Sequence, residues 1–247
     1  MATFSKRCVK IYDAIGVGQF LRPVVRCFRE ERECYRRIVS LLSCGRQIKE
    51  YLKNNASKKL HLRASDKILP GWLNTDLQPS SLGSVFMDAT KPFPLPSESF
   101  DYVFCEHFIE HISLDGATCC FAEVFRCLKR GGIFRLATPD LHQYVGLFSE
   151  SLRPDQIRFL ELFGAFFKLD RVSPCLALNH LIYNWGHRFL YTREELLDHL
   201  KRAGFAEVVA KPVGESNHPA LCGIEHHARF YGNELNRFET MVFEANK

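Results

Sequence analysis

Several features typical of exported and membrane proteins are missing from this 247-residue sequence. No apolar run approaches the roughly 18 residues that a membrane-spanning helix needs. The opening segment holds no continuous apolar stretch of the kind found in secretory signals. The ten cysteines form no C-x-x-C pair and are too few for a disulfide scaffold. The sequence therefore predicts a cytoplasmic protein with reduced thiols.

The net charge of +5 is distributed unevenly along the chain. Residues 1–60 contain 14 Lys and Arg against 5 Asp and Glu, whereas residues 61–247 contain 19 against 23. A basic arm permits contact with an anionic partner, such as a membrane surface or a phosphorylated substrate, although a solvated helix face explains most such runs. We expect no nucleic-acid partner and leave peripheral membrane contact open. The sequence does not indicate an oligomeric state.

Hydrophobic spacing divides the chain into two parts. Between Arg26 and Asn54 the apolar residues recur at mostly helical intervals, which predicts a basic helical extension over residues 1–57. From residue 58 to residue 247, short apolar strands alternate with helices, which is typical of an α/β domain with a largely parallel sheet. The predicted strands are Leu60–Leu62, Trp72–Leu77, Ser84–Met87, Phe100–Cys105, Ile133–Ala137, Glu207–Lys211 and Glu239–Glu244.

The helices of this second part carry recognisable end signals. A helix from Leu114 to Lys129 is expected to stop at the glycine pair 131–132, and another begins at the Thr192 capping box and closes at Gly204. Between them, residues 141–190 are helical in pattern and unusually aromatic. We interpret this stretch as an inserted cover over one edge of the sheet.

Acidic residues end two neighbouring strands of the predicted sheet. Asp76 ends the second strand and Asp88 the third, and the loop 63–66 follows the first. Ligands of open α/β sheets bind at the carboxyl ends of the strands. A carboxylate at Asp76 is suited to accept both hydroxyls of a ribose, and Asp88 would suit an adenine amino group. The pattern indicates a cofactor that contains adenosine.

Three stretches together resemble class I S-adenosylmethionine-dependent methyltransferases. They are LHLRASDKILPGWLNTDL, VFMDATKPFPLPSESFDYVFCEHFIEHI and EVFRCLKRGGIFRLATPDL. The resemblance is strong over residues 58–140, looser beyond, and closest to a bacterial subgroup predicted to act in surface-polysaccharide or related small-molecule pathways. It implies a Rossmann-like, doubly wound, seven-stranded sheet with an antiparallel last strand. It also implies S-adenosylmethionine over the first, second and fourth strand ends, and methyl transfer to a small-molecule or saccharide-type acceptor.

One departure from this family concerns the loop after the first strand. The family has a glycine-rich turn there, whereas this chain has Arg63-Ala64-Ser65. Glycine permits a positive φ and close approach of the backbone to the cofactor, which Ala and Ser disfavour. Either Arg63 pairs with the carboxylate of the cofactor, or the chain is a non-catalytic relative that keeps the fold as a binding or partner protein.

The resemblance also implies site residues. Glu106 and His107 follow the fourth strand and would face the transferring methyl group, where either could act as a general base. The residues implied for the cofactor are Arg63, Ala64, Ser65, Asp76, Leu77, Asp88, Ala89 and Glu106. The basic N-terminal helices and the cover at 141–190 would form the acceptor side.

The segment His107-Phe-Ile-Glu110-His111 also matches the HxxEH pattern of inverted zinc peptidases. Three fixed residues arise readily by chance, and here they follow a buried strand within a methyltransferase-like run. A zinc-dependent hydrolase is therefore a remote alternative, and we expect no metal. For the late histidines we expect structural roles by default, with a substrate-side role open for His187 or His218.

Overall fold

The computed structural model describes residues 42–79 and 83–247. Most of the predicted basic extension lies outside these residues. Residues 42–54 form a continuous helix, α1, through Gly45. Its Tyr51 hydroxyl donates to the carbonyl oxygen of Lys59 at 2.9 Å and accepts from the Lys59 amide at 2.8 Å, which fixes the helix against the first strand. Within the described part of the chain, no helix is both long and apolar enough to cross a bilayer.

Seven strands form one sheet in the order β3-β2-β1-β4-β5-β7-β6. All neighbouring pairs from β3 to β5 are parallel, and β7 is antiparallel to both β5 and β6. The predicted mostly parallel sheet with a reversed last strand is confirmed. The strands are β1 Lys59–Leu62, β2 Leu73–Asp76, β3 Ser84–Phe86, β4 Phe100–Glu106, β5 Leu128–Pro139, β6 Glu207–Lys211 and β7 Thr240–Asn246.

The central strands are covered on both faces. Val103, Phe104 and Cys105 of β4 have no exposed surface, as expected for a parallel strand between two helical layers. Helix α2, Leu114–Cys127, follows β4 and packs Phe121 and Val124 into the same core. This packing fixes where β4 ends, and with it the position of Glu106.

The predicted end of this helix at the glycine pair is wrong. Helix α2 ends at Cys127, and Gly131 and Gly132 lie inside β5, where its register with β4 shifts between Phe100 and Tyr102. A Cβ on Gly132 would lie 2.9 Å from both the Lys129 carbonyl oxygen and a Leu128 methyl, so only glycine fits there. These glycines permit a strand irregularity and do not end the helix.

The stretch between β5 and β6 contains four helices. They are α3 Leu141–Gly146, α4 Pro154–Phe167, α5 Pro174–Tyr183 and α6 Arg193–Arg202. The first three form a separate apolar cluster built around Tyr144, Phe159, Phe163 and Leu181. The Thr192 hydroxyl accepts from the Glu195 amide at 3.3 Å, as predicted from the capping pattern. The remaining helices are the 3₁₀ turns Ile109–His111 and Pro219–Leu221, α7 Ala228–Tyr231 and α8 Asn233–Glu239.

Candidate active site

The loop after β1 adopts a left-handed backbone without glycine. Arg63 and Ser65 both have a φ of 51°. Strand β2 holds this conformation, because the Ala64 amide donates to the Thr75 carbonyl oxygen at 2.8 Å and the Ser65 amide donates to Asp76 Oδ2 at 2.9 Å. A left-handed residue other than glycine costs roughly 1–2 kcal/mol. The loop therefore retains the geometry of a glycine-rich turn at an energetic cost.

Arg63 extends from this loop across the sheet edge. Its Nη1 donates to the carbonyl oxygen of His107 at 2.8 Å, and its guanidinium lies 5.8 Å from the ring centroid of Phe108. The side chain is nevertheless exposed, so part of the guanidinium faces solvent. An exposed cation at this edge is available to an anionic ligand.

The two strand-end aspartates lie at the same edge and are both held by backbone groups. Asp76 Oδ1 accepts from the Gln78 amide at 2.7 Å, in addition to the Ser65 bond of Oδ2. Asp88 Oδ1 accepts from the amide and the hydroxyl of Thr90, at 2.9 and 2.7 Å. Next to them, Leu77 is 44% exposed, whereas Ala89 is buried.

Glu106 ends β4 and is enclosed by a segment distant in sequence. Its carboxylate accepts from the amides of His226 and His227 at 2.8 Å, and Lys67 Nζ lies 3.5 Å away. Burial would raise the pKa of Glu106, but Lys67, His107 and these amides together lower it. Glu106 is therefore held as an anion that binds the segment around His226 to the sheet.

His107 is strained, with a φ of 45°, and contacts groups on both ring nitrogens. Its Nδ1 lies 3.2 Å from Glu110 Oε1 and its Nε2 lies 3.2 Å from Thr240 Oγ1. The ring stacks on His227 at 3.8 Å between centroids. Burial would lower the pKa of His107, but the neighbouring carboxylates, Glu110 foremost, outweigh it and raise the pKa.

The HxxEH residues do not form one three-residue group. Glu110 is fully buried between His107 and His111, whose Nε2 lies 4.0 Å from Glu110 Oε1. His111 contacts His187, and His107 contacts His227, which is 3.2 Å from Glu239. No local pattern in the sequence links His187, His227 and Glu239 to Glu110, because they follow it by more than 70 positions.

A cavity of about 340 Å³ lies beside Thr240. Thr240, the partner of His107 Nε2, lines it together with three basic residues, Arg193, Lys211 and Arg237, and with Glu215. Its volume falls at the lower end of the range of small-molecule sites.

Part of the chain matches a known family model. Residues 42–136 match the family model described as a methyltransferase domain. No curated protein matches the chain. This match covers less than half of the chain.

Solved structures with a related fold are similar at low identity. Phosphoethanolamine N-methyltransferase 2 of Haemonchus contortus is 14% identical with a TM-score of 0.46, over 82% of this chain and 52% of that one. The present chain thus spans about half the length of that protein. An S-adenosylmethionine-dependent methyltransferase of Mesorhizobium loti is 15% identical with a TM-score of 0.46, and the match covers 78% of this chain and 92% of that one. One from Thermotoga maritima is 17% identical with a TM-score of 0.45, and the match covers 89% of this chain and 97% of that one. Similarity at this level does not identify an acceptor.

Proposed function

We propose that this protein transfers a methyl group from S-adenosylmethionine to a small acceptor that carries negative charge, such as an acidic saccharide. The observation that carries the proposal is the loop at residues 63–65. Its backbone takes the left-handed conformation that the cofactor site of this family requires, although neither Arg63 nor Ser65 is glycine. A chain that had lost the site would have no need to hold this strained turn.

The residues at the strand ends fit the cofactor chemically. Each Asp76 oxygen accepts one backbone amide, and a carboxylate oxygen can accept a second donor, so the ribose hydroxyls can still bind. The exposed Leu77 offers an apolar surface to adenine, and Asp88 with Ala89 would bound its amino edge. The exposed guanidinium of Arg63 suits the carboxylate of the methionine portion.

When bound, the cofactor supplies an electrophilic methyl group on a sulfonium sulfur. The protein then has to align the acceptor and exclude water, and such orientation can contribute roughly 7–11 kcal/mol to lowering a barrier. We propose that Glu106 is a positioning residue, because its carboxylate is held by backbone amides. His107 is the better base for an acceptor that arrives protonated, since Glu110 strengthens its basicity.

The cavity beside Thr240 supports the acceptor class. Arg193 is already paired with Asp140 at 2.9 Å, which leaves Lys211 and Arg237 against the carboxylate of Glu215. This excess of positive charge favours an anionic ligand. The hydroxyl of Thr240 lies 3.2 Å from His107 Nε2 and donates to Asn236 Oδ1 at 3.0 Å, so it fixes the His107 ring beside the cavity. The saccharide-pathway subgroup and a cytoplasmic location, favoured by the sequence, stay predictions.

A second candidate is a catalytically silent relative. It is favoured by the bonds that Glu106 already makes to His226 and His227, which close this part of the edge with protein groups. Calorimetry of the full chain with S-adenosylmethionine and S-adenosylhomocysteine separates the two candidates. Binding of both ligands, followed by transfer of labelled methyl to acidic sugars over neutral ones, supports the enzyme. Failure to bind either ligand at millimolar concentration would leave the silent relative.

A further inference from the structure

A group of three potential metal ligands lies beside His107. It consists of Glu110, His111 and His187, called here the Glu110 group, and their ligand atoms lie within 4.8 Å of one another. Glu110 and His111 belong to one 3₁₀ turn, whereas His187 comes from the segment between α5 and α6. The two imidazole rings meet at 4.8 Å between centroids, inclined by 66°.

One buried nitrogen of this group lacks a hydrogen bond. Glu110 Oε2 accepts from the Thr138 hydroxyl at 3.0 Å, and Glu110 Oε1 is contacted by His107 Nδ1 at 3.2 Å. His187 Nδ1, in contrast, is buried without a hydrogen-bond partner. Buried polar atoms are nearly always satisfied, so an unsatisfied imidazole nitrogen beside a buried carboxylate and a second imidazole points to a ligand.

We propose that Glu110, His111 and His187 bind a divalent transition-metal ion, for which Zn²⁺ is the best match. Imidazole nitrogen and carboxylate oxygen are regular zinc ligands, and two imidazoles with one carboxylate leave a further position open. The hard cations Mg²⁺ and Ca²⁺ are excluded as preferred ligands because they favour sets made of oxygen.

Binding requires the ligand atoms of the Glu110 group to move closer together from separations of up to 4.8 Å. With zinc bonds of 2.0–2.1 Å, tetrahedral ligand atoms lie about 3.3 Å apart. His111 Nε2 is 4.0 Å from Glu110 Oε1, so a side-chain movement of less than about 1 Å closes that distance. The His111 side chain is 22% exposed, which gives an ion a route from solvent to a carboxylate that is otherwise buried.

A neighbouring group is a weaker candidate. His107, His227 and Glu239 also bring their ligand atoms within 4.8 Å. Their atoms already have protein partners, because Glu239 Oε2 accepts from the Tyr144 hydroxyl at 2.5 Å and Glu239 Oε1 lies 3.2 Å from His227 Nε2. No unsatisfied atom of that group indicates an ion, so the Glu110 group is favoured.

The test measures metal binding by the full chain after dialysis against a chelator. Co²⁺ replaces Zn²⁺ as a visible-absorption probe, and Zn²⁺ affinity is measured by competition with a chromophoric chelator. We expect one equivalent of either ion. His111→Gln and His187→Gln should each weaken binding by more than the roughly 10–100-fold that loss of an outer-shell partner causes.

A matched control is His180→Gln. The Nδ1 of His180 is also buried without a partner, but its ring packs among Phe163, Phe167 and Trp185. Among the described residues, His180 belongs to neither group of potential metal ligands. The affinity of the His180→Gln variant for Zn²⁺ should equal that of the wild type. Thermal unfolding of each variant shows whether a loss of binding reflects a loss of structure.

Two results would overturn the proposal. One is a wild-type protein that binds neither ion more tightly than its folded His111→Gln variant does. The other is binding that His227→Gln and Glu239→Gln abolish and His187→Gln leaves unchanged, which would place the ion in the neighbouring group. Because the readout is metal binding and not methyl transfer, its outcome is independent of the proposed enzyme activity.

Discussion

Arg63 and His107 join the ends of β1 and β4 through one hydrogen bond of 2.8 Å, from the guanidinium to the carbonyl oxygen. Both residues have a positive φ, so two strained turns support each other at this edge. The same guanidinium is exposed, which leaves it available to the carboxylate of the cofactor in the proposal. Arg63 therefore has two roles in the proposal, one in organising the loop and one in binding.

Replacing Arg63 with Ala should weaken binding of S-adenosylhomocysteine by roughly 1.5–3 kcal/mol, the range for a hydrogen bond to a charged group. Calorimetry measures the loss, and Arg202→Ala on an exposed helix end serves as the control. Combining Arg63→Gly with Ser65→Gly should recover part of the affinity by restoring an ordinary glycine turn. Tight binding that Arg63→Ala leaves unchanged would exclude Arg63 as the carboxylate partner.

At Asp76, we expect Asp76→Ala to weaken cofactor binding by about 1–3 kcal/mol, because the ribose loses its acceptor. Asp76→Asn keeps one oxygen for the Ser65 amide or the ribose and should lose less. The comparison matters because Asp76 also holds the loop. If both variants fold and bind as the wild type does, Asp76 is not part of the site.

Ser65→Gly should stabilise the folded protein by about 1 kcal/mol, since glycine has no penalty at a φ of 51°. Ser151→Gly is the matched control, because φ is not positive there and glycine should destabilise through the added freedom of the unfolded chain. Urea unfolding shows whether the unfolding free energy of each variant is higher or lower than that of the wild type. A Ser65→Gly variant less stable than the wild type would contradict the assigned strain.

Arg135 is a fully buried charge in β5. It pairs with Glu225 and with Glu244 and has no exposed surface. Arg135→Met leaves two buried carboxylates unpaired, and we expect a loss of about 3–5 kcal/mol in unfolding free energy. Arg130→Met, on the surface, should change stability by less than about 0.5 kcal/mol. Equal stability of the two variants in urea would contradict this account.

His61 should make stability depend on pH. Burial lowers its pKa to about 4 from an ordinary 6.5, in spite of the hydrogen bond to Asn74 and the charge of Glu106, with His226 and Lys67 adding to the lowering. Between these values the unfolded chain binds the proton and the folded chain does not, so stability is lost as pH falls from 6.5 to 4. At about 1.4 kcal/mol for each unit, the loss is on the order of 3 kcal/mol.

The check on His61 is urea unfolding across this pH range. The His61→Leu variant should show a flatter stability profile than the wild type, because its own titration is removed. His142→Leu, at an exposed position, is the control and should keep the wild-type slope. An unchanged slope in His61→Leu would show that other groups carry the dependence.

Local features of the sequence were enough to predict much of the sheet. The alternation of short strands with helices predicted Asp76 and Asp88 at the carboxyl edge of the sheet. The end of a strand can be recognised from the residues immediately around it. The glycine pair 131–132 was misinterpreted, since glycine gives the same signal at a helix end and at a strand irregularity. The left-handed conformation of Arg63 and Ser65 was not predictable, because tertiary hydrogen bonds from β2 override the local preference there.

The grouping of histidines around Glu110 depends on contacts across the fold. His187 and His227 have no helical or strand spacing relative to His107, and only the packing of α5 to α8 against the sheet edge brings them together. The HxxEH pattern is visible in the sequence. That His187 contacts His111 and His227 contacts His107 is shown only by the tertiary structure.

The position of β7 between β5 and β6 has a consequence for how the chain folds. The twelve-residue strand β5 pairs with β4 on one side, but its other side must wait for Thr240–Asn246, about a hundred residues later. Until then β5 is an open edge with a row of unpaired amides and carbonyls next to apolar side chains, which is a template for aggregation. Such non-local pairing is also slow to form. Folding of this protein on the ribosome is therefore most exposed to misassembly during the synthesis of residues 140–240.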